Sequence, residues 1–228
     1  MRMKTSHHRW TMTALFAVVV GPACAGATPG VDLGSSPRAA SVAELEALYR
    51  ARSDSARTRF TEADVRFMTG MISHHAQALQ MAGFAPTHGA SSSVGILTAR
   101  TVNAQQDEIT VMQQWLRDRG QPIPEVFADG DDSTVRVPDA RMPGMLTPQQ
   151  MRELDNARGA DFDRLFLTYM IQHHGGAVTM VDDLFATDGA ALDDVVFKVA
   201  SDIQVDQRTE IARMERMLRV LPDAGRRP

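Results

Sequence analysis

Phe67-Met68-Thr69-Gly70-Met71-Ile72-Ser73-His74-His75-Ala76-Gln77-Ala78-Leu79, closed by Met81, returns 99 residues later. The second copy reads Phe166-Leu167-Thr168-Tyr169-Met170-Ile171-Gln172-His173-His174-Gly175-Gly176-Ala177-Val178, closed by Met180. Both follow D-x-x-F-x-x-x-M-I-x-H-H-x-x-A-x-x-M, opening at Asp64 and at Asp163. Apolar residues three and four apart predict a helix, and no period-two alternation competes. At about 100° per residue, Phe67, Met71, His74, His75, Ala78, Met81 and Ala82 share one side of that helix. Thr69, Ser73, Gln77 and Gln80 fall opposite. The second copy divides in the same way, with Gln172 and Thr179 outside. Neighbouring histidines point about 100° apart, so one of each pair is expected to face the bundle axis and the other an adjacent helix.

A second match widens the repeat. Gln105-x-x-Glu108-Ile109-x-x-Met112-x-x-x-Leu116 corresponds to Gln207-x-x-Glu210-Ile211-x-x-Met214-x-x-x-Leu218, offset by 102. Each half therefore predicts a helix hairpin, a histidine helix followed by a Gln–Glu–Met helix. Two such hairpins bury their stripes against each other as a four-helix bundle. The fold class expected is all-α, built from two tandem helix hairpins with short extra helices.

The bundle is expected over 61–221, with repeat one at 61–119, a linker at 120–148 and repeat two at 149–221. Thr61-Glu62-Ala63-Asp64 is a capping signal for a helix running to about Ala85, which Gly83, Pro86 and Gly89 end. A second long helix covers Ser91 to Arg119, stopped by Gly120 and Pro122. The linker is rich in proline and lacks periodicity. Pro148 opens a short helix through Arg158. The second histidine helix is expected from Asp161 to about Asp188-Gly189, and the last from Ala190 to Leu221, closed by Pro222. Upstream, 26–60 reads as a flexible tether followed by a short helix at Ser41 to Tyr49.

Residues 1–25 read as an export signal. Arg2, Lys4 and Arg9 precede a short apolar run centred on Leu15 to Val20, and small residues follow at Gly21, Ala23 and Ala25. The run is too short to span a bilayer, and no later stretch approaches the required length. Cys24, the only cysteine, is either part of the cleavage triplet or the lipidated first residue of a lipoprotein. The chain is thus expected outside the cytoplasm, periplasmic or extracellular, with no mature pair of thiols for a disulfide. Losing the signal moves the net charge from −4 to −7. That charge and the lack of a basic patch argue against a nucleic-acid partner.

Four inward histidines accompanied by methionines one turn away point to metal. Met71 precedes His74 by three positions, and Met170 precedes His173 likewise. Thioether and imidazole together suit Cu(I), with Ag(I) as a mimic and Cu(II) held by the imidazoles. Methionine also survives as a ligand where free thiols are oxidised. Glu108 and Glu210 are placed to orient the imidazoles or to ligate. A di-iron bundle needs Glu three positions before the histidine, where Met71 and Met170 stand here. Zinc hydrolysis lacks His-Glu-x-x-His, and no phosphate loop, dinucleotide fingerprint or nucleophile elbow occurs. No catalytic motif is present, so binding rather than turnover is expected. A metal-free alternative stays open, a structural or interaction bundle whose buried histidines are satisfied by Glu108 and Glu210. A small redox or metal-dependent enzyme is a third option, with no substrate indicated.

The tandem Met-Ile-x-His-His-x-x-Ala-x-x-Met helices, the Gln-x-x-Glu-Ile-x-x-Met helices and Pro143-Gly144-Met145 resemble the domain of unknown function 305 family over roughly Thr61 to Leu221. The resemblance implies a ferritin-like bundle, exported or lipid-anchored, with copper binding in some members. Carried over by position, it implies Met71, His74, His75, Met81, Met170, His173, His174 and Met180 as ligands, with Met112 and Met214 as lesser candidates. One departure stands out. Thr101 occupies the place of Ile203 in the second copy, which predicts looser packing of the first hairpin.

Overall fold

The computed structural model describes residues 40–124 and 142–221. The expected signal segment with Cys24, the tether up to residue 39 and linker residues 125–141 lie outside the described residues. Six helices follow in order: α1 (Val42–Thr58), α2 (Glu62–Gly83), α3 (Ser92–Asp118), α4 (Pro148–Asn156), α5 (Gly159–Phe185) and α6 (Asp194–Val220). No strand occurs among the described residues, and the fold is all-α.

Local chemistry sets the helix starts. Thr61 and Asp64 close a reciprocal capping box on α2, the Asp64 amide donating to Thr61 Oγ1 and the Thr61 amide to Asp64 Oδ2 at 2.8 Å. α6 begins later than Ala190 because Asp193 accepts from the amides of Val195 and Val196 and so fixes the first turn. α1 runs past Tyr49 to Thr58, and its apolar residues Val42, Leu45, Leu48 and Tyr49 are exposed.

Helix α2 packs on α3, and α5 packs on α6. The two hairpins meet chiefly through α2 and α5, whereas α3 and α6 approach each other much less. This pairing splits the buried apolar side chains into two clusters. One holds Phe67, Met68 and Met71 of α2, Met112 and Trp115 of α3, Val181 of α5 and Val199 of α6. The other holds Ala78 and Met81 of α2, Leu97 of α3, Phe166 and Met170 of α5 and Met214 of α6.

A buried polar layer separates the clusters along every long helix. It contains His74 and His75 of α2, Thr101 and Gln105 of α3, His173 and His174 of α5 and Gln207 of α6. Apolar burial drives folding, and each polar group placed in the middle of it must find a partner or cost stability.

The two hairpins also close each other's turns. Asp64 Oδ1, at the start of the first motif, accepts from the Ala191 amide at 2.7 Å in the α5–α6 turn. Asp163, at the start of the second, accepts from the Ser91 amide at 3.1 Å in the α2–α3 turn. Both aspartates are buried.

Candidate metal centre

All four motif histidines are fully buried. His74 and His173 face each other across α2 and α5, with ring centroids 3.8 Å apart. Their neighbours turn outward to the partner helix of each hairpin. His75 Nε2 lies 2.7 Å from Glu108 Oε2 on α3, and His174 Nε2 lies 2.7 Å from Glu210 Oε2 on α6. This is the division expected from the 100° offset.

The acceptors decide where each neutral ring keeps its lone pair. A carboxylate oxygen accepts, so Nε2 of His75 and of His174 carries the hydrogen and Nδ1 is left bare. His74 Nε2 faces the Pro143 carbonyl oxygen at 3.1 Å, which fixes the same tautomer. The Nδ1 atoms of all four rings, and Nε2 of His173 as well, are buried with no hydrogen bond among the described residues. Burial pushes His74 down to about 3, helped by repulsion from His75 and His174 and opposed by the Pro143 carbonyl. Burial, followed by the charges of His74, His174 and His75 and opposed by the backbone of His74, holds His173 well below the ordinary histidine value. Both inner rings are therefore neutral at physiological pH, the form that ligates metal.

The Pro143 carbonyl comes from a segment that covers the α2–α5 seam. Gly144 adopts φ +75°, and a Cβ on Gly176 of α5 would stand 1.9 Å from the Pro143 oxygen. Only a bare helix surface admits that approach. On the α2 side, Gln77 grips the same segment with both ends of its amide. It donates to the Leu146 oxygen at 3.1 Å and accepts from the Leu146 amide at 2.7 Å. Ser73 and Gln77 are consequently buried rather than outward-facing as their place on the polar side of the helix predicts. Gln77 is satisfied there by the segment's backbone, and Ser73 by the Thr69 carbonyl of its own helix at 3.3 Å.

The Thr101 hydroxyl, almost fully buried, lies 3.3 Å from both oxygens of Glu210 on α6, a contact that its place opposite Ile203 did not foretell. A groove of about 280 Å³ between α3 and α6 is lined by Thr101, Gln105, Glu108, Asp206, Gln207 and Glu210. It gives Glu108 and Glu210 their partial exposure. Asp206 is pushed up by burial first, then by Glu108, Asp202 and Glu210. Both ends of the buried Gln105 amide, and the Gln207 oxygen, make no hydrogen bond among the described residues.

The methionines divide between the two apolar clusters. Met71 and Met112 lie in the first, with Met180 packed against it, while Met81, Met170 and Met214 lie in the second. The layer of imidazoles runs between them. Among the described residues no three His, Cys, Asp or Glu side chains are arranged to hold a metal ion. The Pro143 carbonyl, Gly176, Gln77 and Thr101 carry parts of this site that the residue pattern did not assign. The available signal was the mismatch of Gln77 with Gly176 and of Thr101 with Ile203 between the copies.

The family described as domain of unknown function (DUF305) matches residues 64–218, and the chain belongs to that family. A DUF305 fragment from Deinococcus radiodurans is 31% identical, with a TM-score of 0.59, covering 70% of this chain and 97% of that one. A DUF305 protein from Streptomyces coelicolor, inferred to be secreted, is 25% identical with a TM-score of 0.58, covering 69% and 92%. CopM in its Cu(II)-bound form is 25% identical with a TM-score of 0.53, covering 68% and 95%; its Cu(I)-bound form superposes similarly, at 0.52. Comparison with curated proteins gives no match.

Proposed function

We propose that this DUF305 protein is exported and binds or buffers copper through the imidazoles and thioethers of its two histidine helices, without catalysing a reaction. One observation carries the reading. Among the described residues, three imidazoles have Nε2 engaged by an oxygen and Nδ1 buried without a partner, and neither nitrogen of His173 beside them makes a hydrogen bond. An unsatisfied buried polar atom costs about 1–3 kcal/mol, so four unpartnered lone pairs in one layer, one on each ring, favour a ligand that uses them. Thioethers would complete the donor set. Met71, Met81, Met170 and Met180 are the candidates, with Met112 and Met214 as lesser ones. Soft sulfur with one or two imidazoles suits Cu(I) better than a metal needing four hard ligands. Glu108 and Glu210 would hold the outer rings with Nδ1 free, in the manner of carboxylates behind metal-bound histidines.

Copper-bound CopM supports the choice of metal. Export is supported by the expected signal at 1–25 and by the relative inferred to be secreted. No described helix is long and apolar enough to cross a membrane, and a lipid anchor at Cys24 would be the alternative means of retention. A metal-free structural role is the second reading, favoured by the two 2.7 Å His–Glu contacts.

Titration of the mature protein with Cu(I) or Ag(I) separates the two. The first reading expects binding that raises the melting temperature; in the His74→Ala/His173→Ala variant that rise is lost and the affinity weakened. Unchanged affinity in that variant defeats it, and an unmoved melting temperature on metal addition favours the structural role.

A further inference from the structure

Gly70, one turn before His74, has no side chain to fill the surface of α2, and two thioethers from elsewhere occupy the space. A Cβ placed there would meet the Met180 methyl at 3.3 Å and the Met142 sulfur at 3.4 Å. Met180 comes from α5 and Met142 from the stretch before α4, so two separate elements bring their heads to one point. Both side chains are only half-buried, unlike Met71, Met112 or Met170, which are closed off in the core. The next residue after Met142 is Pro143, whose carbonyl holds His74 at 3.1 Å. Two thioether heads thus gather over one glycine at a half-exposed place, one residue from the carbonyl that reaches the buried imidazole layer.

We infer that Met142 and Met180 form a capture site for a soft monovalent metal ion, Cu(I) or its mimic Ag(I), over Gly70. Two thioethers satisfy the low coordination numbers that these ions accept, and hard divalent ions gain nothing from sulfur. Apolar packing alone accounts poorly for the pair, because flexible methionine heads at a half-exposed position lose rotamer freedom without gaining full burial. Gly70 fits the same role, since any larger residue would push the two heads apart. The site deepens the copper reading and rests on it for the identity of the metal, but it uses Met142, which that reading does not.

Methyl-¹³C methionine NMR of the full-length mature protein during Ag(I) titration tests this directly. The methyls of Met142 and Met180 are expected to shift together before one equivalent is reached, and to do so also in His74→Ala/His173→Ala. In Met142→Leu the Met180 methyl should stop responding at that ratio, with its apparent affinity at least about tenfold weaker. Gly70→Ala should weaken the paired response without removing either sulfur. If Met142 and Met180 stay silent while the histidine ring signals move, this inference fails and the central copper reading stands. If the two methyls move while the rings never do, the central reading fails and the capture site stands. A Met180 response unchanged in Met142→Leu overturns the pairing, and no response at any methionine or histidine overturns both.

Discussion

In the first motif copy His75 reaches Glu108 at 2.7 Å, and in the second His174 reaches Glu210 at the same distance. The inner rings do not share this likeness. His74 holds the Pro143 carbonyl, whereas neither nitrogen of His173 makes a hydrogen bond of standard geometry among the described residues. The carboxylates differ too, since Glu210 receives the Thr101 hydroxyl in addition to its histidine. Matching sequence stretches therefore place matching His–Glu pairs on their helices, and a segment that passes only once makes the inner rings differ. The segment from Met142 to Thr147 lies between equivalent positions of the two copies, 77 and 176. At one, a glutamine amide grips it; at the other, a glycine lets it come close. The asymmetry leaves His173 as the ring with neither its lone pair nor its N–H engaged among the described residues.

Acid should have the largest effect on that contrast. His74 and His173 have folded pKa values far below the ordinary 6.5, so the unfolded chain binds more protons than the folded one as pH falls past 6.5. Their contribution to stability is whole above that pH. It declines by up to about 1.4 kcal/mol per pH unit for each histidine, towards about pH 3 for His74. Urea unfolding of the metal-free protein across this range reads the slope; a flat profile would mean that the inner rings are not buried neutral.

Next comes Gly176→Ala. In an ordinary helix this change stabilises by up to about 1 kcal/mol. Here the new methyl meets the Pro143 backbone, so a loss of about 3 kcal/mol is expected from denaturant unfolding. Stabilisation instead would show that the covering segment does not sit on α5. The equivalent Gln77→Ala strands the Leu146 amide and oxygen and should cost about 2 kcal/mol. The smallest change is Thr101→Val, at about 1 kcal/mol. It should alter the His174 ring signals in an NMR spectrum and leave those of His75 in place, because only Glu210 holds the threonine.

Much of this was legible in the residues. The 3.6-residue period gave the long helices, the 99-residue repeat gave the hairpins, and the 100° step separated inner from outer histidines. Glu108 and Glu210 could be named as partners because charged side chains beside apolar stripes demand one. What stayed hidden was backbone. The Pro143 carbonyl carries no residue-type signature, and a helix face covered by a loop reads in sequence as a face in water, which is why Ser73 and Gln77 were assigned outward. The copies themselves held the clue, since a glutamine replaced by glycine at matching positions marks a place where the surroundings differ. Asp64 and Asp163 stood in plain view as the first letters of the motif, yet their partners lie 127 and 72 residues away.

Those two aspartates bear on how the chain comes to be folded at all. The turn of the first hairpin is completed by a residue of the second, and the turn of the second by a residue of the first. Each hairpin's turn thus draws a hydrogen bond from the other, although each carries its own His–Glu pair. During synthesis the Ser91 amide gains its Asp163 acceptor only once the second half has emerged. The same union of hairpins that makes both clasps brings His74 and His173 face to face.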